Sequence, residues 1–283
     1  MKKKLLRLSF AFLALLCAVL ILRAPASAEV RALFANVGKA DAALFWLGDA
    51  RYLVDTGHKD SYEQLQRVLD AYDVTHLDGI IVTHTDKDHV GGLKKLLKNG
   101  LAVDQLYAGA LHSEEDPQEH PVLEASEKYG VPLVWLSAGD RIEVSQDCAF
   151  EVLGPLSRDE EKENNNSLVL RLTTPDGAML LTGDMEIPEE TELIQAGLLS
   201  RAEVLKVPHH GEDDATSKRL ALLVSPKWAV ISTNTQAEPD TPDPKVLRYL
   251  AAVGASVAVT QDAQVGILIT LTDGTASAQH VDW

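Results

Sequence analysis

His84, Asp86, Asp88 and His89 lie within six consecutive positions of "THTDKDHVGG". Imidazole nitrogen mixed with carboxylate oxygen is the ligand set of zinc and similar divalent ions. Four such side chains are more than one ion uses at an open catalytic site, so the cluster points to two metals. A solvated loop that holds histidine and aspartate by accident has no need of this placement, which follows an apolar run and precedes two glycines.

The elements around the cluster explain how it could be positioned. "GIIV" reads as a buried strand that ends at His84. From an extended exit, His84 and Asp86 point the same way, and Asp88 and His89 follow in the first turn of the next helix. That helix is expected to run through "DHVGGLKKLLKNG" and to stop at Gly100, with Gly91 and Gly92 leaving room for close backbone approach.

Upstream, "RALFANVG", "AALFWLG" and "RYLVDTG" read as an antiparallel meander, and Leu65, Val68, Leu69 and Tyr72 carry the 3.6-residue period of a helix. Downstream, "SLVLRLTT" and "AMLLTGD" read as strands, "IPEETELIQAG" as a helix and "AEVLKVPHHG" as another strand. The chain closes with the helix "KVLRYLAAVG" and the strands "SVAVTQ" and "GILITLTDG". The two halves follow one plan: a strand pair to a Gly–Asp turn, a helix, then a strand ending in histidine and glycine. Such halves form two packed sheets with helices outside, their polar strand ends meeting at one edge.

Composition bounds the function. Residues 1–28 have a basic start, an apolar run from Leu8 to Leu22 and the small-residue end "APASA", the layout of a cleaved secretory signal. The apolar run is short for a spanning helix, so no stable membrane insertion is expected after cleavage. Leu16 before Cys17 disfavours lipidation. Removal of the leader takes five Lys and Arg and no acid from the full chain's 26 basic and 42 acidic residues, which leaves 21 against 42. That surplus disfavours a general electrostatic grip on nucleic acid. Residues 29–283 contain one cysteine, Cys148, read as a core thiol, so no internal disulfide is available.

The pattern His-x-Asp-x-Asp-His-x-Gly-Gly resembles the second signature of the metallo-β-lactamase superfamily. It is most similar to the extracytoplasmic hydrolase domain of ComEC-type competence proteins. "VGKADAALFWLGDARYLVDTG", "NNNSLVLRL", "LLTGD" and "LKVPHHG" resemble further motifs of that family in order. The resemblance implies an α/β fold, the four-layer αββα sandwich, over residues 29–283. It also implies two divalent ions, with zinc expected and manganese as the competitor. His84 and Asp86 would hold the first, Asp88 and His89 the second, Asp184 would bridge them, and His209 would complete the second site. His210 would touch substrate or support a ligand, and Asp88 could accept a proton in passing. Asp55 would orient a ligand. Asn165, Asn166 or Ser167 would line the corner where a histidine is usual. Two ions a few ångströms apart lower the pKa of a shared water to about 7.

Three departures touch the substrate edge: "VGKADA" lacks a usual glycine, Glu212 stands where serine is usual, and "EPDTPDP" lacks a histidine. The expected function is an exported hydrolase of phosphoesters, with DNA as the substrate class the resemblance implies. The alternatives are small or cell-wall phosphoesters, lactones or β-lactams, or a binding protein that keeps the fold. His58, His76, His112, His120 and His280 receive no role, His280 as part of a terminal tail.

Overall fold

The computed structural model describes residues 30–112 and 119–283. The signal-peptide expectation for residues 1–28 lies outside them. The strands form two large sheets. One runs in the order Thr275–Val281, Gly266–Thr272, Val30–Ala35, Ala43–Leu47, Ala50–Val54, Gly79–Val82, Leu106–Gly109, Leu133–Leu136. The other runs Ser256–Val259, Trp228–Ile231, Val204–Lys206, Gly177–Leu181, Val169–Thr174, Cys148–Gly154, Arg141–Ser145. Each begins as an antiparallel meander and turns parallel, at Ala50–Val54/Gly79–Val82 in one and Gly177–Leu181/Val204–Lys206 in the other. The two halves therefore do follow one plan.

Alternation along doubly buried strands builds three apolar layers. In Ala43–Leu47, the residues Ala43, Phe45 and Leu47 face the inter-sheet core while Leu44 and Trp46 face the outer helices. In the second sheet Val204 and Val230 face inward, and Leu205 and Ile231 outward. Phe45 and Phe150 join the sheets edge to face, with ring centroids 5.6 Å apart. The helices Tyr62–Ala71, Leu93–Lys98 and Pro121–Tyr129 cover one sheet through Leu65, Leu69, Leu96 and Val122. Ile187–Gln195, Lys218–Val224 and Pro244–Ala252 cover the other through Leu193, Leu220 and Leu250. The result is the expected four-layer αββα sandwich. Among the described residues, no helix is long and apolar enough to cross a membrane.

Two local expectations are corrected. The helix after His84 is split into Lys87–Val90 and Leu93–Lys98. Gly91 and Gly92 lie against other backbone there: a Cβ on Gly91 would meet the Lys87 carbonyl oxygen at 2.3 Å, and one on Gly92 the Thr56 oxygen at 2.2 Å. At the C-terminus, Ser256–Val259 joins the second sheet and Gly266–Thr272 the first. His280 is no tail residue; it sits in the edge strand Thr275–Val281, opposite Ile267. Local periodicity carries no information on which sheet a strand joins.

Candidate metal centre

The parallel strands of both sheets deliver their C-terminal ends to one place. Gly79–Val82 leads into Thr83 and His84, Gly177–Leu181 into Asp184, and Val204–Lys206 into His210. Asp88, His89, Asp184 and His210 converge so that one ligand atom of each lies within 4.8 Å of the others. His89 Nε2 is 3.2 Å from Asp184 Oδ2, and His210 Nε2 is 3.3 Å from that oxygen and 3.2 Å from Asp88 Oδ2. His84 Nε2 adjoins Asp86 Oδ2 at 3.8 Å, and the His84 and His89 rings are 4.1 Å apart.

Each histidine is oriented by its other nitrogen. His89 Nδ1 donates to Asp55 Oδ2 at 2.9 Å, and His210 Nδ1 donates to the Ser232 carbonyl at 2.7 Å. Both Nε2 atoms are thereby turned into the cluster. Asp55 is itself fixed by the Thr83 backbone N–H at 2.8 Å and the Thr83 hydroxyl at 2.9 Å. Its φ of 60° is left-handed, uncommon for a non-glycine residue and tolerated best by aspartate and asparagine.

The pair at residues 209 and 210 is reversed relative to the expectation. His210 is buried and faces Asp88 and Asp184, whereas His209 turns away, its Nδ1 2.8 Å from Asp214 Oδ1 and its Nε2 3.3 Å from Asn164 Nδ2. His209, Asp214 and Glu186 form a separate cluster. The expectation assumed an extended strand end. Instead both histidines take left-handed φ, 47° and 52°, so period-2 alternation does not apply to them.

The model of the Metallo-beta-lactamase superfamily matches residues 35–235. The chain belongs to the metallo-β-lactamase superfamily. It is 33% identical to ComE operon protein 3 of Bacillus subtilis over 71% of this chain and 27% of that protein. It is 28% identical to Competence protein ComA of Neisseria gonorrhoeae over 70% of this chain and 26% of that one. The chain thus spans about a quarter of the length of these relatives. In fold it is similar to the metallo-beta-lactamase fold protein YhfI of Bacillus subtilis. The TM-score is 0.57 at 13% identity, covering 86% of this chain and 99% of that one. It is also similar to a diphosphatase of the PhnP family, with a TM-score of 0.52 at 14% identity, covering 89% and 99%. The chain is therefore a member of this superfamily with relatives among competence proteins, and it carries a candidate metal site.

The superfamily's metal chemistry fits the residues present. His84 Nε2, His89 Nε2 and Asp184 Oδ1 are buried and have no hydrogen-bond partner, an arrangement costly for a core but suited to ligands around a cation. Without an ion, protons supply the positive charge at this site: His89 and His210 are held protonated beside Asp184 and Asp88, and a bound cation would displace those protons. Burial opposes ionisation of Asp184 and Asp88, yet the charges of His89 and His210 hold both carboxyls below the ordinary range. Burial likewise opposes protonation of His210, but Asp184 and Asp88 raise it to about 9. His84 is pushed well below its usual value by burial and by His89, which keeps it neutral and able to donate a lone pair.

The corner opposite His84 is built differently from expectation in detail. The Ser167 hydroxyl accepts the Asp184 N–H at 3.0 Å. Asn165 and Asn166 turn toward the acidic loop, their amides donating to Asp159 at 2.8 Å, and Asn166 also donates to Glu163 Oε2 at 3.1 Å. Glu163 Oε1 accepts from the Thr85 hydroxyl at 2.8 Å and its backbone N–H at 3.2 Å. Asn166 is thus linked through Glu163 to Thr85, the residue between His84 and Asp86.

Sequence reasoning missed Lys206 and Asp41. Lys206 is buried, pairs with Asp41, donates to the Gly183 carbonyl at 3.2 Å and stands 3.7 Å from Asp184 Oδ1. Burial alone would discharge this lysine; Asp41 and Asp184 keep it charged. A lone lysine inside the apolar run "VLKVP" was the available signal, because an unpaired charge is not buried there.

Proposed function

We propose that this chain is an exported two-metal phosphoesterase, with nucleic acid as its substrate class. The carrying observation is the convergence of Asp88, His89, Asp184 and His210 beside His84 and Asp86 at one sheet edge. In this reading Asp88, His89, Asp184 and His210 would hold one divalent ion, and His84 and Asp86 would contribute to the other. Zinc suits the imidazole-rich position, and manganese competes at the oxygen-rich one. Bound there, such ions would supply Lewis acidity and a water of near-neutral pKa. The chain supplies the rest. Asp55 and the Ser232 carbonyl aim the imidazoles, Ser167 seats Asp184, and Asp88, part-exposed beside His210, accepts a proton from the attacking water.

The competence proteins among the relatives support nucleic acid as substrate. A net charge of −16 favours a second reading, a small phosphoester that needs no polyanion grip. Residues 1–28 as a cleaved signal and 29–283 as one hydrolase domain complete the proposal, and the N-terminal sequence of exported protein checks them. The deciding experiment supplies the purified protein, in zinc and in manganese, with single- and double-stranded DNA, bis-p-nitrophenyl phosphate, nitrocefin and a lactone. DNA cleavage lost in Asp184→Asn supports the first reading. Diester turnover without DNA cleavage selects the second, and turnover of nitrocefin or lactone alone rejects both.

A further inference from the structure

We propose that Lys39 recognises the substrate's anionic phosphoryl group and that Glu212 is its displaceable internal competitor. The inference rests on the phosphoesterase reading above.

Lys39 and Glu212 are 173 positions apart and form an ion pair between the loop that carries Asp41 and the turn that carries His209 and His210. Lys39 lies in the loop between Val30–Ala35 and Ala43–Leu47, and the Asp41 N–H of that loop donates to the Asp88 carbonyl at 3.1 Å. Glu212 follows the histidine turn, with its N–H donating to the His209 carbonyl at 2.8 Å. The pair therefore links the loop seated on Asp88 to the turn that presents His210. The Lys39 ammonium also feels Glu238 and Asp88, and together with Glu212 these hold its pKa up against partial burial. An anionic ester approaching Asp88 would meet this carboxylate-rich rim, and Lys39 is the cation that offsets it.

Two features separate this pair from a structural latch. The side chains remain 22% and 31% exposed, a setting in which an ion pair contributes little to stability, so it can open at small cost. The comparison with Lys162 makes the point: that lysine pairs at 2.7 Å with the carboxylate of Glu186, which is buried, so Glu186 needs its counterion. Glu212 is half-buried and can turn to water. A lysine is a point charge on a flexible stem, able to exchange one carboxylate oxygen for a phosphoryl oxygen.

The test uses three variants of the full exported chain, each purified with its metals as found and titrated calorimetrically with inorganic phosphate. Lys39→Met should weaken phosphate binding about tenfold, Lys39→Arg should retain it, and Glu212→Gln should tighten it severalfold by removing the competitor. With bis-p-nitrophenyl phosphate, Lys39→Met should raise KM rather than lower kcat. Phosphate affinity in Lys39→Met equal to that of the parent overturns the proposal. So does weakening in Glu212→Gln, the result a mere latch would give. A parent that turns over no diester would defeat the phosphoesterase reading alone, since the phosphate titration still decides the role of Lys39.

Discussion

Asp55 Oδ2 accepts the His89 Nδ1 proton at 2.9 Å while both side chains are buried. The contact ties the turn after Ala50–Val54 to the helix Lys87–Val90, and through the imidazole it aims Nε2 at Asp184. Asp55→Asn keeps the shape but replaces an anionic acceptor by a neutral amide. Metal affinity should fall about 10- to 100-fold, read by competition with a chromogenic chelator. An unchanged affinity would mean that the contact serves the fold alone.

The left-handed turn at residues 209 and 210 makes two neighbouring histidines unequal. His210→Ala should reduce bound metal from two ions to one per chain, whereas His209→Ala should retain both. Elemental analysis of protein purified by gel filtration reads the difference. The opposite pattern would return the ligand role to His209.

Lys206 and Asp41 form a buried pair whose halves are not separable. Lys206→Met leaves Asp41 and Asp184 without their nearest ammonium and should cost roughly 3–5 kcal/mol in urea unfolding of the metal-free protein. Asp41→Asn combined with Lys206→Met should recover a large part of that loss. A double variant as unstable as the sum of the singles would show that the two do not act on each other.

Glu189 offers a pH test remote from the metals. Its carboxyl is buried with neither oxygen hydrogen-bonded, and burial, with Glu192 nearby, lifts its pKa well above 4.5. The folded form thus binds the proton more tightly than the unfolded chain. Stability from this group is fully present below about pH 4.5 and declines as pH rises toward the folded value, by at most about 1.4 kcal/mol per pH unit. Glu189→Gln should flatten this decline and raise the melting temperature at neutral pH relative to the parent. Parallel stability–pH curves for the two proteins would contradict the assignment.

The sequence by itself determined the candidate ligand types and the layers. Imidazoles and carboxylates at i, i+2, i+4 and i+5 behind an apolar strand can be read locally, as can the helices of residues 62–71, 187–195 and 244–252, because one element's periodicity reports which of its faces is buried. Tertiary structure decided what depends on two distant segments at once. His210 rather than His209 faces Asp184 because the packed turn holds two residues at positive φ, a cost that no propensity foretells. Lys206 finds Asp41 across 165 positions, and Lys39 finds Glu212 across 173. The three departures from the family pattern are expected at the substrate edge and lie far apart in the sequence. Folding brings two of the segments that carry them together through Lys39 of "VGKADA" and Glu212 of "HHGE", because ion pairing depends on distance in space and not along the chain.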